Sequence, residues 1–126
     1  MHSPKVLLVE SDSPVREALS FSLGLEEFEV TALASPEAVL DDPMPAAGSD
    51  CLVIDYQLDG MDGLALRGEL RAMGVAAPAV LIASAPSRAV LARAVEAGAV
   101  LIEMPLLCDA LAAAIRRELG ARSVPA

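Results

Sequence analysis

Aromatic side chains are scarce. The 126 residues hold only Phe21, Phe28 and Tyr56, with no tryptophan. Leu, Val, Ile and Ala must therefore fill the core, which suits a sheet packed under helices better than a small β-rich module. Histidine occurs once, at His2 near the terminus, so no Ser, His and Asp set can be assembled around a well-placed imidazole. Neither a GxGxxG loop nor a phosphate-binding P-loop is present. Cys51 and Cys108 lie far apart without metal-ligand spacing and read as small buried hydrophobes. No apolar run approaches the roughly 18 residues of a membrane span, and the first residues lack the regions of a signal peptide. A cytoplasmic location is the expectation. Positive charge is scarce as well: 9 Lys and Arg against 18 Asp and Glu leave a formal charge of −9. Such a surface repels nucleic acid and anionic lipid and favours a protein partner or a cation.

Aliphatic residues are abundant, with 55% of the chain hydrophobic, enough for one compact domain and too short for two. The expected domain covers 1–120, with ARSVPA (121–126) as a frayed tail. Five short segments rich in branched aliphatics have strand length: Val6–Val9, Phe28–Leu33, Cys51–Ile54, Ala79–Ala83 and Val100–Glu103. Helix signals lie between and after them, in VREALSFSLG, EAVLDD, GLALRGELRAMG, SRAVLARAVEAG and LLCDALAAAIRREL. Ser13 with Pro14 and Ser35 with Pro36 read as N-cap and first-turn pairs, and Gly24, Gly74 and Gly98 as C-terminal glycines. DPMP followed by AAGSD (Ala46–Asp50) reads as a longer loop. Strands without apolar and polar alternation have both faces covered. The order β then α, five times over, thus predicts a doubly wound, five-stranded parallel sheet in a three-layer α/β/α sandwich.

In such sheets ligands bind beyond the carboxyl ends of the strands, where strand order reverses. The acids gather there. Glu10, Ser11 and Asp12 follow the first strand, and Asp55 ends the third in CLVIDYQLDGMDG. Carboxylates brought together by two strands repel one another, and a hard cation such as Mg²⁺ relieves the repulsion. Asp12 reads equally as a helix cap, since Ser13 and Pro14 follow it. Asp55, with a glycine-rich loop behind it, has little local structural reason to be acidic.

VLLVESDSPVREAL, DYQLDGMDGLAL, PAVLIAS and EAGAVLIEMPL, in this order, resemble the receiver domain of two-component response regulators, over about Lys5 to Glu118. VREALSF and AGAV bring it nearest to receivers of nitrogen-fixation and LuxR-type regulators. The resemblance implies a flavodoxin-like fold in a phosphorelay. Asp55 would be the phosphoacceptor, taking its phosphoryl group from a histidine kinase or phosphotransfer protein with help from Mg²⁺. Glu10 would stand at the first position of the acidic pair, and the backbone carbonyl of Gln57 would complete the metal site.

Several residues depart from that pattern. Ser11 replaces the second acid, a neutral and poorer ligand for Mg²⁺. Five residues on from Pro78, Ala83 stands where the family has Thr or Ser; the hydroxyl of Ser84, one residue later, serves only if the strand end bends, because successive side chains point to opposite faces. Met104 precedes Pro105 where the family has Lys, and the segment from Gly98 to Pro105 is one residue short. The sole lysine, Lys5, lies at the opposite end of the sheet. Loss of one preorganised donor costs roughly 2.7 to 4 kcal/mol, so both phosphorylation and switching are expected to be impaired, and Mg²⁺ to bind weakly. Arg88 could substitute as a cation or serve simply as an exposed helical residue.

Three readings follow: a phosphoaccepting receiver, a degenerate receiver acting as a phosphorylation-independent interaction module, and a small Mg²⁺-dependent aspartyl phosphatase. The last is disfavoured, because hydrolases of this layout carry a second Asp two residues on, at Gln57. No enzyme activity beyond phosphoacceptance is expected. Helices at about Ser87–Ala97 and Leu107–Leu119 carry Arg88, Arg93, Arg116 and Arg117. With the fifth strand they form the face that in the family mediates homodimerisation or output. The chain starts at Met1 and leaves no room for an output domain, so it reads as a stand-alone or an excised receiver that contacts neither nucleic acid nor membrane.

Overall fold

The structure is a computed structural model that describes residues 3–104 and 108–123. Its elements run β1 (Lys5–Val9), α1 (Ser13–Leu25), β2 (Glu29–Leu33), α2 (Pro36–Asp41), α3 (Met44–Ala47), β3 (Cys51–Asp55), α4 (Gly63–Ala72), β4 (Ala79–Ser84), α5 (Arg88–Glu96), β5 (Val100–Met104) and α6 (Cys108–Ser123). The five strands are parallel in the order β2-β1-β3-β4-β5. The chain steps from β1 to β2 on one side and then returns past β1 to β3. That reversal opens a crevice at the carboxyl ends of β1 and β3.

Period-2 alternation splits the aliphatic strands between two cores. Val6, Leu8, Cys51, Val53, Val80 and Ile82 pack with Leu19 and Leu23 of α1 and Leu111 and Ile115 of α6. Leu7, Val9, Leu52, Ile54 and Leu81 pack on the other face with Val39 of α2, Ala46 of α3, and Leu66 and Leu70 of α4. Both faces of β1 and β3 are thus buried, the three-layer arrangement that their unbroken apolar runs predict. Cys51 is fully buried. The side chain of Cys108 lies outside the described residues, as do His2, Pro105 and Leu107.

Local chemistry departs from the sequence reading at three places. The cap of α1 is Asp12, not Ser13: its Oδ1 accepts from Val15 N at 3.1 Å, and Pro14 sits in the first turn. Gly24 lies inside the last turn of α1, and Glu27 takes the left-handed position at φ 68°. The chain reverses there, with Phe28 N donating to Leu23 O at 3.1 Å. Gly74 and Gly98, at φ 90° and 67°, do hold this position after α4 and α5. Finally, the stretch read as a long loop contains α3, a single helical turn, because fully buried Ala46 anchors it under the sheet and Ser49 Oγ donates to Pro45 O at 2.7 Å. At the other end α6 runs to Ser123, three residues into the segment read as a tail.

Candidate functional site

Asp55, Ser84 and Met104 are the last residues of β3, β4 and β5, and Glu10 follows the last residue of β1. Val9 pairs with Ile54, Asp55 with Ile82, and Ser84 with Met104. Side chains alternate, so Glu10 continues the face of Leu8, Asp55 that of Val53, Ser84 that of Ile82, and Met104 that of Ile102. All four emerge on the α1 and α6 side. Together with Ser11, Asp12, Val15, Gln57 and Ile82 they line a cavity of about 230 Å³.

This register corrects the reading of β4. Ala83 is on the opposite face, buried in a neighbouring cleft with Tyr56, Pro86 and Val90, and is not among the residues lining the acidic cavity. Ser84 lines it without any prior bend, because β4 continues regularly through Ser84, and the chain turns only at Ala85, at φ 42°. Counting from Pro78 locates the strand end but not which of its last two residues faces the acids.

Glu10 is 2% exposed, a burial rare for a carboxyl. Its pKa is pushed up to about 8, first by burial, then by its hydrogen bond to the side chain of Asp55 and by the negative charge of Asp55 and Asp12. The N–H of Asp12, donating to Glu10 Oε2 at 3.2 Å, opposes the rise in part. A proton on Glu10 thus satisfies two acids that face each other across β1 and β3. Asp55 Oδ1 accepts from Gln57 N at 3.0 Å, which fixes the carboxylate rotamer. Asp12 caps α1 and also lines the cavity.

The surrounding loops are held by residues that the motif reading passed over. Arg16, one turn into α1, donates from Nη1 to Glu10 O at 2.9 Å and to Ser11 O at 3.4 Å, clamping the acidic loop. Its signal in the sequence is an arginine one helical turn beyond the acids. Gly63 is required by contact. A Cβ there would lie 2.5 Å from the carbonyl oxygen of Asp55 and 3.0 Å from Tyr56 Cα. Gly63 N donates to Tyr56 O at 2.7 Å, and Asp62 Oδ1 caps α4 through Ala65 N at 2.8 Å. The glycine of the MDG motif thus lets α4 start directly against the strand that carries Asp55.

Asp55, Glu10 once it gives up its proton, and the Gln57 carbonyl would supply hard oxygen donors of the kind Mg²⁺ takes from protein, the rest being water. Ser11 Oγ adds no charge and accepts a long bond from Asp59 N at 3.5 Å. Among the described residues no group of three or more His, Cys, Asp and Glu is arranged to hold a metal. With Glu10 protonated near neutral pH and Ser11 neutral, these oxygens would offer Mg²⁺ little charge. Met104 brings a thioether to the cavity and packs against the aliphatic core. Arg88 is exposed and is not among the lining residues. Of the other surface arginines, Arg116 is engaged within the chain, 3.1 Å from Glu26 and stacked 5.3 Å from the Phe28 ring centroid. No helix among the described residues is long and apolar enough to cross a membrane.

A model of the response regulator receiver domain family matches residues 6–115. The chain is 32% identical over 116 residues to the transcriptional regulatory protein FixJ of Azorhizobium caulinodans, covering 91% of this chain and 54% of that protein. It is 32% identical over 118 residues to nodulation protein W of Bradyrhizobium diazoefficiens, covering 90% and 52%. The chain thus spans about half the length of these curated relatives. Among solved structures, full-length FixJ from B. japonicum superposes with a TM-score of 0.86 at 25% identity, over 98% of this chain and 61% of that one. A response regulator receiver domain protein from Clostridium thermocellum superposes at 0.85 and 17% identity, over 94% and 96%, and shares the fold.

Proposed function

This chain belongs to the response regulator receiver domain family of two-component systems, and we propose that within it Asp55 is the phosphoacceptor of a receiver whose phosphorylation and switching are both impaired. One observation carries this reading: Asp55 meets buried Glu10 at the carboxyl end of the sheet, in a cavity lined, among the described residues, by Met104 and by no Lys or Arg.

In the transfer, an oxygen of Asp55 bonds to phosphorus as the bond to the donor, a phosphohistidine nitrogen or a small acyl phosphate, breaks. Gln57 N–H holds Oδ1, leaving the other oxygen to attack. Glu10 must release its proton for Asp55 and its neighbours to hold Mg²⁺ through Glu10, Asp55 and the Gln57 carbonyl. When bound, that ion would draw off charge from the phosphoryl oxygens. Ser84 offers a hydroxyl from β4, and Ser11 a weakened metal position. Met104 can offer no positive charge, so the transferred group lacks one of its electrostatic partners, and the equilibrium between conformations lacks the differential contact that would bias it. Histidine kinases or phosphotransfer proteins are the partners this chemistry calls for, with a protein output partner or a second copy at the α5, β5 and α6 face.

Intact mass spectrometry after incubation with acetyl phosphate and Mg²⁺ tests the assignment. A slow gain of one phosphoryl group that disappears in Asp55→Ala is expected, and a gain that persists in Asp55→Ala sinks it. A second reading, an interaction module independent of phosphorylation, is favoured by the raised pKa of Glu10, which keeps a proton where the metal would sit. It predicts no gain in either protein.

A further inference from the structure

Arg93 sits in the middle of α5 and reaches across to the loop behind Asp55. Its Nη1 donates to the hydroxyl of Tyr56, its Nη2 lies 3.3 Å from Asp62 Oδ2, and its guanidinium carbon lies 5.7 Å from the Tyr56 ring centroid. Tyr56 directly follows Asp55, is 9% exposed, and is tied by its backbone to Ile82 of β4 and Gly63 of α4. Asp62 caps α4 and bridges to Gln57 across the loop. One side chain therefore joins α5 to both ends of the loop that leaves the acceptor. Among the described residues, the side-chain hydrogen bonds joining residues 56–62 to α5 converge on Arg93.

We propose that Arg93 is a positioning residue that pins α5 to the Asp55 loop and so holds the exposed surface of α5, with Leu91 and Val95, in one arrangement. The geometry explains why both contacts matter. The ion pair with Asp62 is half exposed and screened by salt, so alone it would hold α5 weakly. The bond to a buried phenol adds direction, and a planar guanidinium can serve both partners at once where an ammonium cannot. Tyr56, Ala83 and Val90 line one cleft beside this contact. The consequence for signalling rests on reading Asp55 as the acceptor: a change at Asp55 that leaves the Tyr56 and Asp62 contacts intact leaves the surface of α5 in the same arrangement. The pin itself does not depend on that reading.

Amide hydrogen exchange on the full chain, compared among wild type, Tyr56→Phe, Arg93→Gln and the double variant, tests the pin. Tyr56→Phe removes one oxygen and keeps the ring, so it remains informative even if Arg93→Gln folds poorly. Exchange in residues 90–96 is expected to be about tenfold faster in each single variant and no faster in the double, with the core amides of β1 and β3 unchanged. Wild-type rates in α5, effects of the two substitutions that multiply, or an equal acceleration in β1 and β3 overturns it. Adding beryllofluoride with Mg²⁺ to the same samples separates the two ideas. Amides of Ser11 and Gln57 that do not move in wild type count against Asp55 as acceptor, while the exchange comparison still decides the pin.

Discussion

The carboxyl of Glu10 is hydrogen-bonded to that of Asp55, and burial holds its pKa near 8, far above the ordinary 4.5. The first acidic neighbour of Asp55 is thus a neutral acid near neutral pH. Charge repulsion between the two strands is relieved by a proton wherever no cation relieves it.

A stability prediction follows, with its sign set by linkage. Between about pH 4.5 and 8 the folded protein keeps a proton on Glu10 that the unfolded chain releases. This contribution is therefore complete below the lower value and is lost as the pH rises through the window. Glu10→Gln keeps the shape and removes the titration. Urea denaturation should show the variant gaining on wild type as the pH rises from 5 to 8.5, by about 3 kcal/mol. A difference that stays constant with pH would show that Glu10 ionises freely in the fold.

Ser11 is the proposed weak point of the Mg²⁺ site. Replacing its hydroxyl by a carboxylate adds a charged hard ligand beside Glu10, and Ser11→Asp should tighten Mg²⁺ binding about tenfold by titration calorimetry. Equal dissociation constants for the variant and wild type would place the weakness elsewhere, at Glu10 or Met104.

Gly63→Ala puts a Cβ 2.5 Å from the carbonyl oxygen of Asp55, against backbone that cannot yield cheaply. A loss of about 2 to 4 kcal/mol is expected, read as a lower melting temperature, together with a displaced Asp55 loop. An unchanged melting temperature would mean that α4 can back away from β3.

How much of this was legible in the sequence differs by residue. The meeting of Glu10 and Asp55 was, because each ends an unbroken apolar run, and parallel strands bring such ends together. Asp12 as cap was legible as one of two readings, and its carboxylate does cap α1. The facing of β4 was not. Ala83 and Ser84 differ by one position, and only the pairing of Asp55 with Ile82 and of Ser84 with Met104 shows which side chain shares the acids' face. Glu27 in a left-handed conformation was hidden by Gly24, a better-suited residue three positions too early for the turn that burial of Leu23 and Phe28 imposes. Arg93 with Tyr56 and Asp62 joins residues more than thirty apart in sequence, and no local pattern announces such a contact.

The central claim is that Asp55 sits in a pocket that takes the phosphoryl group slowly and whose message stops there. The measurement that tests it most directly is an amide NMR spectrum of the wild-type chain with saturating Mg²⁺ and beryllofluoride. The amides of Ser11, Gln57, Asp59 and Ser84, around the cavity, should shift. Those of α5, β5 and α6 should stay nearly where they were, since Met104 makes no contact that distinguishes the two states. Ser11→Asp with Met104→Lys should extend the response along β5. Large shifts across α5, β5 and α6 in the unsubstituted protein would contradict the account and make this an ordinary phosphoswitch.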